Sequence, residues 1–144
     1  MEKVLAFESP RGHYDADACI VWCFDDRFSG LLDAFVKQHG FKKVDVVESA
    51  GGAKALASGS PAERDFILNQ VKLSISLHNT RRLVLMLHMD CGGFGGSKNF
   101  NNDRGKEEQY LAMQLNDATN VVKPLFKNLE IELFIADFDG LYKV

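Results

Sequence analysis

Two short apolar stretches, residues 18–24 and 83–87, constrain the fold of this chain more than any other feature. Neither stretch alternates with polar residues, so each predicts a strand that is buried on both faces. Such strands are typical of parallel sheets, in which helices cover both sides. The first stretch contains Cys23 and the second is followed directly by His88, so chemically active side chains stand where each strand ends.

Helical patterns separate these strands. Residues 28–39 place apolar side chains at helical spacing and are followed by glycine. Ser60 and Glu63 form a capping box, with a proline between them at the first helical position, and predict a helix that runs to His78. A further long helix is predicted over residues 106–123, before a proline.

Three more strands are predicted, over residues 41–47, 131–138 and 141–144, the last two joined by an Asp-Gly turn. Alternation of strands and helices predicts an α/β fold of three layers with a mostly parallel central sheet. If the second strand lies beyond the first, the order is about 2-1-3-4. The ends of the first and third strands then meet where the strand order reverses, which is the usual place for a site.

The composition is that of an ordinary globular protein, with 46% hydrophobic and 26% charged residues among 144, and predicts a single domain over residues 1–144. A net charge of -3 without a basic run argues against nucleic acid or a membrane surface as a partner. The N-terminal residues contain no long apolar stretch, so no secretory signal is expected. Three cysteines, an odd number, favour a reducing cytoplasm over a disulfide framework.

Cys23, His88 and Cys91 together supply two thiolates and one imidazole, which is a donor set that suits Zn²⁺. Three protein ligands leave a fourth position for water or substrate, whereas structural zinc sites usually have four protein ligands. Asp25 stands two residues past Cys23, where its carboxylate could accept a hydrogen bond from a metal-bound water. Arg27 is placed to hold that carboxylate by a bidentate pair.

Simpler interpretations exist for each cysteine. A buried cysteine is usually a small hydrophobic residue, and this is the prediction for Cys19, which stands on the same strand as Cys23. A phosphatase-type loop needs an arginine six residues after the cysteine, but Ser29 and Ser97 occupy those positions. Residues 96–98, Gly-Ser-Lys, do not match a phosphate-binding P-loop. Metal binding is therefore the favoured hypothesis.

The pattern resembles the β-class carbonic anhydrases, whose signature is Cys-x-Asp-x-Arg followed by His-x-x-Cys. In this chain the signature is formed by Cys23, Asp25, Arg27, His88 and Cys91. Residues 49–52, Ser-Ala-Gly-Gly, resemble the Asn-Ala-Gly segment of the family, and residues 90–93 resemble its Asp-Cys-Gly turn.

This resemblance implies a β-carbonic-anhydrase-like homodimer or larger homo-oligomer in which Cys23, His88 and Cys91 ligate Zn²⁺. The implied reaction is the reversible hydration of carbon dioxide to bicarbonate by hydroxide held on the zinc. Asp25 would accept a hydrogen bond from the zinc ligand or, in a closed form, ligate the zinc itself. Arg27 would hold Asp25 in place.

Four small residues are weaker candidates for a substrate pocket beside the metal: Ala50, Gly51, Gly92 and Gly93. Two alternatives to carbonic anhydrase activity stay open at this point. One is a non-catalytic zinc-binding domain of the same fold. The other is hydrolysis of a related small molecule, such as carbon disulfide.

Overall fold

A computed structural model describes all residues from Met1 to Val144 and contains a five-stranded sheet. Its strands are β1 (Ala18–Cys23), β2 (Val44–Ser49), β3 (Arg82–His88), β4 (Glu130–Asp137) and β5 (Gly140–Lys143). The order is β2-β1-β3-β4-β5, in which the first four strands are parallel and β5 returns antiparallel to β4. The predicted order 2-1-3-4 is confirmed.

Four α-helices connect the strands: α1 (Ser29–Gln38), α2 (Lys54–Ser58), α3 (Pro61–His78) and α4 (Arg104–Val122). The capping box at the start of α3 is present, because the Ser60 side chain accepts from the Glu63 amide while Glu63 accepts from the Ser60 amide. The short helix α2 was not predicted, since the sequence before it has no capping residue. None of the helices has both the length and the apolar character that crossing a bilayer requires.

The sheet is covered on both faces, as the three-layer prediction requires. On one face, apolar side chains from β1 and β3 pack against α2, α3 and α4 around Leu56, Ile67 and Leu115. On the other face, α1 packs through Phe35 against a smaller cluster that includes Trp22. Burial on both faces explains why β1 and β3 carry uninterrupted apolar sequences.

The carboxyl ends of the parallel strands meet at one edge of the sheet. Cys23 ends β1 and pairs in register with Ser49, the last residue of β2. His88 ends β3 and pairs in register with Ala136 of β4. Because β1 and β3 are neighbours and the chain proceeds in opposite directions from them, this is the point at which the strand order reverses.

Candidate metal centre

Three candidate ligands converge at this edge of the sheet. The ligand atoms of Cys23, His88 and Cys91 all lie within 4.8 Å of one another. Ligands of a tetrahedral zinc ion bound at about 2.0–2.3 Å lie nearly as close together, roughly 3.5–4 Å apart. The three residues are 4%, 1% and 2% exposed, so their polar atoms face one another away from solvent. This arrangement could hold one metal ion.

A tight turn between His88 and Cys91 brings the second thiol back to the end of β3. Asp90 has a φ of 55°, in the left-handed region, and reverses the chain. The Met89 amide donates to the Ala136 carbonyl at 2.8 Å and ties the turn to β4. The Cys91 carbonyl accepts from the amides of Phe94 and Gly96, both at 2.9 Å, which fixes the cysteine backbone.

The imidazole of His88 has one satisfied and one unsatisfied nitrogen. Its Nδ1 lies 2.9 Å from the Met89 carbonyl oxygen, and since a carbonyl only accepts, Nδ1 carries the proton. Nε2 is buried and has no hydrogen-bond partner. A buried polar atom without a partner is costly, and a neutral imidazole presents an electron pair there. The histidine is therefore oriented as a metal ligand would be.

The two thiols share a site that favours one thiolate in the protein without metal. Hydrogen bonding from Cys91 lowers the pKa of Cys23 to about 4, with further contributions from His88 and from the Gly51 amide, 3.3 Å from the sulfur. Hydrogen bonding to Cys23 and burial raise the pKa of Cys91 in turn. Burial alone lowers the pKa of His88, but its interactions with Cys23, Met89 and Asp25 outweigh burial and raise it. A bound cation would deprotonate both thiols.

Asp25 and Arg27 form the predicted bidentate pair beside the three candidate ligands. Arg27 Nε donates to Asp25 Oδ1 at 2.9 Å and Nη2 donates to Oδ2 at 2.7 Å. Asp25 also caps a single 3-10 turn, Asp26–Phe28, by accepting from the Arg27 amide. Its Oδ2 lies 3.9 Å from His88 Nε2, so the carboxylate borders the space between the ligands. Hydrogen bonds from Arg27 lower the pKa of Asp25 to about 2.

Asp90, the first residue of the Asp-Cys-Gly turn, is a second acidic partner of the same arginine. Its Oδ2 accepts from Arg27 Nη1 at 2.9 Å and its carbonyl accepts from Nη2 at 3.0 Å. Arg27 is therefore held between the carboxylate that follows Cys23 and the one that precedes Cys91. Spacing alone could not identify this contact, because the two residues are 63 positions apart.

The four small residues predicted for a pocket differ in their surroundings. Gly51 and Gly93 pack closely, since a Cβ added at Gly93 would lie 3.1 Å from the Gly51 Cα and 3.4 Å from the Cys91 sulfur. Gly92 is exposed, with open space around its Cα. Ala50 lines a cavity of about 320 Å³ with Ser49 and residues of α2 and α3.

Gly52 was not among the predicted pocket residues, but its backbone is tightly constrained. With a φ of 54°, a Cβ there would lie 2.9 Å from both the Cys23 amide nitrogen and the Met86 carbonyl oxygen. The segment before α2 can therefore cross the ends of β1 and β3 only with glycine at this position.

Cavity size does not mark this edge of the sheet. A larger cavity of about 530 Å³ lies at the amino ends of β3 and β4, lined by Thr80, Arg81 and Phe126 among others. It contains no cluster of metal-ligating side chains. The convergence of possible ligands, and not cavity volume, distinguishes the candidate metal centre. The third cysteine, Cys19, is fully buried in the core as predicted.

Comparisons with known proteins agree with the fold and with the motif. Residues 14–144 match the model of a family described as "Putative carbonic anhydrase". An uncharacterized protein of Rickettsia conorii is 26% identical over 149 residues, which cover 97% of this chain and 80% of that protein. This relative carries no assigned activity.

Two solved structures are similar in fold. The β-carbonic anhydrase isoform I of Trichomonas vaginalis superposes with a TM-score of 0.62 and 17% identity, covering 96% of this chain and 87% of its own. A carbon disulfide hydrolase superposes with a TM-score of 0.54 and 15% identity, covering 90% and 80%. The family match extends over nearly the whole chain and includes all three candidate ligands, so the chain belongs to this carbonic anhydrase family.

Proposed function

We propose that the chain is a zinc-dependent enzyme that catalyses the reversible hydration of carbon dioxide to bicarbonate. One observation carries the proposal: the unpartnered Nε2 of buried His88 converges with two cysteine sulfurs beside a carboxylate that an arginine holds in place. Family membership and the similarity of fold to β-carbonic anhydrases support it.

Zn²⁺ is the metal that best fits this donor set. Cys23, His88 and Cys91 would hold it through two sulfurs and one nitrogen, and softer thiolate ligands disfavour Mg²⁺ and Ca²⁺. When bound with one open position, zinc lowers the pKa of water toward neutrality and so supplies the attacking oxygen for hydration. The buried surroundings of the three ligands strengthen electrostatic interactions at the site.

Asp25 would orient the reacting water by accepting a hydrogen bond from it. With a pKa of about 2, the Asp25 carboxyl carries no proton at neutral pH, so it acts as an acceptor and does not store the proton. Arg27 keeps the carboxylate turned toward this role through its Nε and Nη2 donors. If the pair opened, Asp25 would be free to reach the metal and occupy the fourth position.

Four small residues near the candidate ligands are the proposed surroundings of a triatomic substrate. The Gly51 amide lies 3.3 Å from the Cys23 sulfur, Gly93 packs beside the Cys91 sulfur, and Ala50 borders the cavity of about 320 Å³ between the end of β2, α2 and α3. Together with exposed Gly92, they are proposed as part of the substrate pocket. Carbon disulfide has the same linear shape as carbon dioxide, and the fold similarity to a carbon disulfide hydrolase makes its hydrolysis the second candidate activity.

A non-catalytic zinc-binding domain is the remaining alternative. A structural zinc carries no water to orient, so such a site does not need a carboxylate turned toward its ligands. The Asp25–Arg27 pair is well ordered by three side-chain hydrogen bonds, which favours the catalytic proposal. Binding of small anions such as azide would separate the two, since only a site with an open position takes them up.

We also propose that residues 1–144 form one domain that works in the cytoplasm as a homodimer or a larger homo-oligomer. The single sheet with a core on each face supports one domain, and three free, buried cysteines fit a reducing compartment. Phe24 and Phe138 are 63% and 64% exposed near the site, which favours a second copy that covers them. Light scattering during gel filtration would measure the assembly.

The proposed reaction is tested by stopped-flow hydration of carbon dioxide with the zinc content measured in the same sample. We expect about one zinc per chain and hydration far above the buffer rate. Asp25→Asn should keep the zinc but lower kcat by about a hundredfold, the scale on which a positioned proton acceptor contributes. One zinc per chain without hydration of carbon dioxide, or full activity in Asp25→Asn, would contradict the proposal.

A further inference from the structure

A buried carboxylate lies against the turn that carries Cys91 and takes no part in the chemistry described so far. Glu107 lies in the first turn of α4 and is only 2% exposed. It forms no salt bridge with any lysine, arginine or histidine. An unpaired carboxylate is costly to bury, so its hydrogen-bond partners must offset that cost.

Both oxygens of Glu107 bind the turn that carries Cys91. Oε1 accepts from the backbone amide of Asp90 at 2.7 Å. Oε2 accepts from the hydroxyl of Ser97 at 2.6 Å. Ser97 closes the ring of contacts by donating its amide to Asp90 Oδ1 at 2.9 Å. The carboxylate therefore fixes the backbone of Asp90, a residue that needs such support because its φ is in the left-handed region.

The other oxygens of Asp90 point at the arginine of the site. Its Oδ2 and its carbonyl oxygen accept from Nη1 and Nη2 of Arg27, and Arg27 in turn holds Asp25. Gly96 allows this arrangement, because a Cβ there would lie 2.9 Å from Asp90 Oδ1. A continuous chain of hydrogen bonds thus runs from buried Glu107 through Asp90 to Arg27 and Asp25.

We propose that Glu107 is a positioning residue that sets the orientation of the Arg27 guanidinium, and through it the Asp25 carboxylate, by anchoring the amide of Asp90. The proposal rests on the proposed function only for its catalytic consequence. The positioning itself is a property of the folded protein. Without Glu107 the amide of Asp90 loses its acceptor, and the Ser97 hydroxyl loses its partner. Asp90 is then held less firmly against Arg27, although the Ser97 amide still donates to its Oδ1.

This role differs from ordinary stabilisation in what it requires of the side chain. The Glu107→Gln substitution keeps an acceptor for the Asp90 amide and offers an N–H group to the Ser97 hydroxyl, which can accept. Alanine supplies neither. Gln114, on the same helix, provides a matched control. It is also buried, at 5% exposure, and its side-chain carbonyl accepts from the Ser58 hydroxyl at 2.6 Å, away from the candidate ligands.

The test measures rotation of the Arg27 guanidinium about its Cζ–Nη bonds by ¹⁵N exchange NMR, on protein as purified with its metal content recorded. The Arg27 signal is assigned by its absence in Arg27→Lys. We expect Glu107→Ala to speed the rotation by about tenfold, the factor given by loss of hydrogen bonding of ordinary strength. Glu107→Gln and Gln114→Ala should leave it unchanged, although Gln114→Ala lowers the thermal midpoint.

Equal rotation rates in wild type and Glu107→Ala, with a drop in the thermal midpoint like that of Gln114→Ala, would overturn the proposal. If Glu107→Ala does not fold, Glu107→Asp replaces it with the same expectation, since its shorter side chain does not reach both donors. Hydration of carbon dioxide is measured separately on each variant. Failure of the wild type to hydrate carbon dioxide contradicts the proposed function, whereas an unchanged Arg27 contradicts only the role of Glu107.

Discussion

The two ends of the sheet each place a histidine beside an aspartate, but the distances between them differ. At the amino end, His78 Nδ1 lies 2.9 Å from both oxygens of Asp45. At the carboxyl end, His88 Nε2 lies 3.9 Å from the nearest Asp25 oxygen and has no hydrogen-bond partner. In the first pair the histidine and the aspartate are hydrogen-bond partners. In the second, the His88 Nε2 atom has no such partner and instead lies near the sulfurs of Cys23 and Cys91.

The contacts around each aspartate explain the difference. Asp45 accepts from Tyr14 at 2.8 Å and from Ser74 at 2.6 Å, besides its contact with His78, so one side chain from the segment before β1 and two from α3 converge on it. Tyr14 also stacks on His78, with ring centroids 4.1 Å apart. We interpret this amino-end cluster as structural: it ties the segment before β1 to β2 and α3. Asp25, in contrast, is turned by Arg27 toward the unsatisfied side of its histidine.

The largest expected effect is loss of metal at the carboxyl end. Cys23→Ser should weaken zinc affinity by at least about a hundredfold, because it removes one of three protein ligands. Cys19→Ala is the matched control, since Cys19 lies on the same strand and its pKa is raised to about 12 by burial. We expect the control to keep one zinc per chain in competition titrations with a chelator. Equal zinc affinity in the two variants would show that Cys23 is not a ligand.

A smaller effect, on stability alone, is expected at the amino end. Asp45→Asn keeps the shape of the side chain but leaves some of its three donors without an acceptor, which should lower the free energy of unfolding by about 2 kcal/mol. Asp33→Asn, an exposed carboxylate on α1, is the control and should change it little. Urea denaturation measures both. A loss of zinc in Asp45→Asn would show that the two ends are not independent.

The smallest expected effect is a decrease in the free energy of unfolding at low pH, caused by protonation of Asp45. Burial raises the pKa of Asp45, but the hydrogen bonds from Ser74, His78 and Tyr14 outweigh burial, so its folded pKa lies below the ordinary value. A group with a depressed folded pKa stabilises the protein above its unfolded pKa, and this contribution disappears as the pH falls through the folded pKa.

Unfolding free energies measured from pH 5 down to pH 3 check this sign. The wild type should lose stability more steeply than Asp45→Asn over this range, which lies around the ordinary aspartate pKa of about 3.9. Parallel curves for the two proteins would mean that Asp45 titrates alike in the folded and unfolded states.

Sequence reasoning located the strands and the candidate ligands because both depend on local patterns. Uninterrupted apolar runs predicted β1 and β3, and the residues that end them, Cys23 and His88, lie at the switch point. The Asp25–Arg27 pair was predicted for the same reason, since its members are two residues apart.

The contacts that the sequence did not predict are all made between distant parts of the chain. Glu107 stands in the first turn of a helix, where an acidic residue is usually exposed and favoured by the helix dipole, so nothing local indicates its burial. His78 ends a helix, where side chains are usually exposed, but it is half-buried against Asp45, which lies 33 residues away in the sequence. Such contacts depend on how the helices pack on the sheet.

The central claim, that Cys23, His88 and Cys91 hold a zinc ion with an open position, is tested most directly by X-ray absorption at the zinc edge. For the protein as purified, we predict two sulfur ligands at about 2.3 Å and two nitrogen or oxygen ligands at about 2.0–2.1 Å, one of which azide replaces. In Cys23→Ser the sulfur shell should fall to one. Four protein ligands without exchange, or no bound zinc at all, would contradict the account.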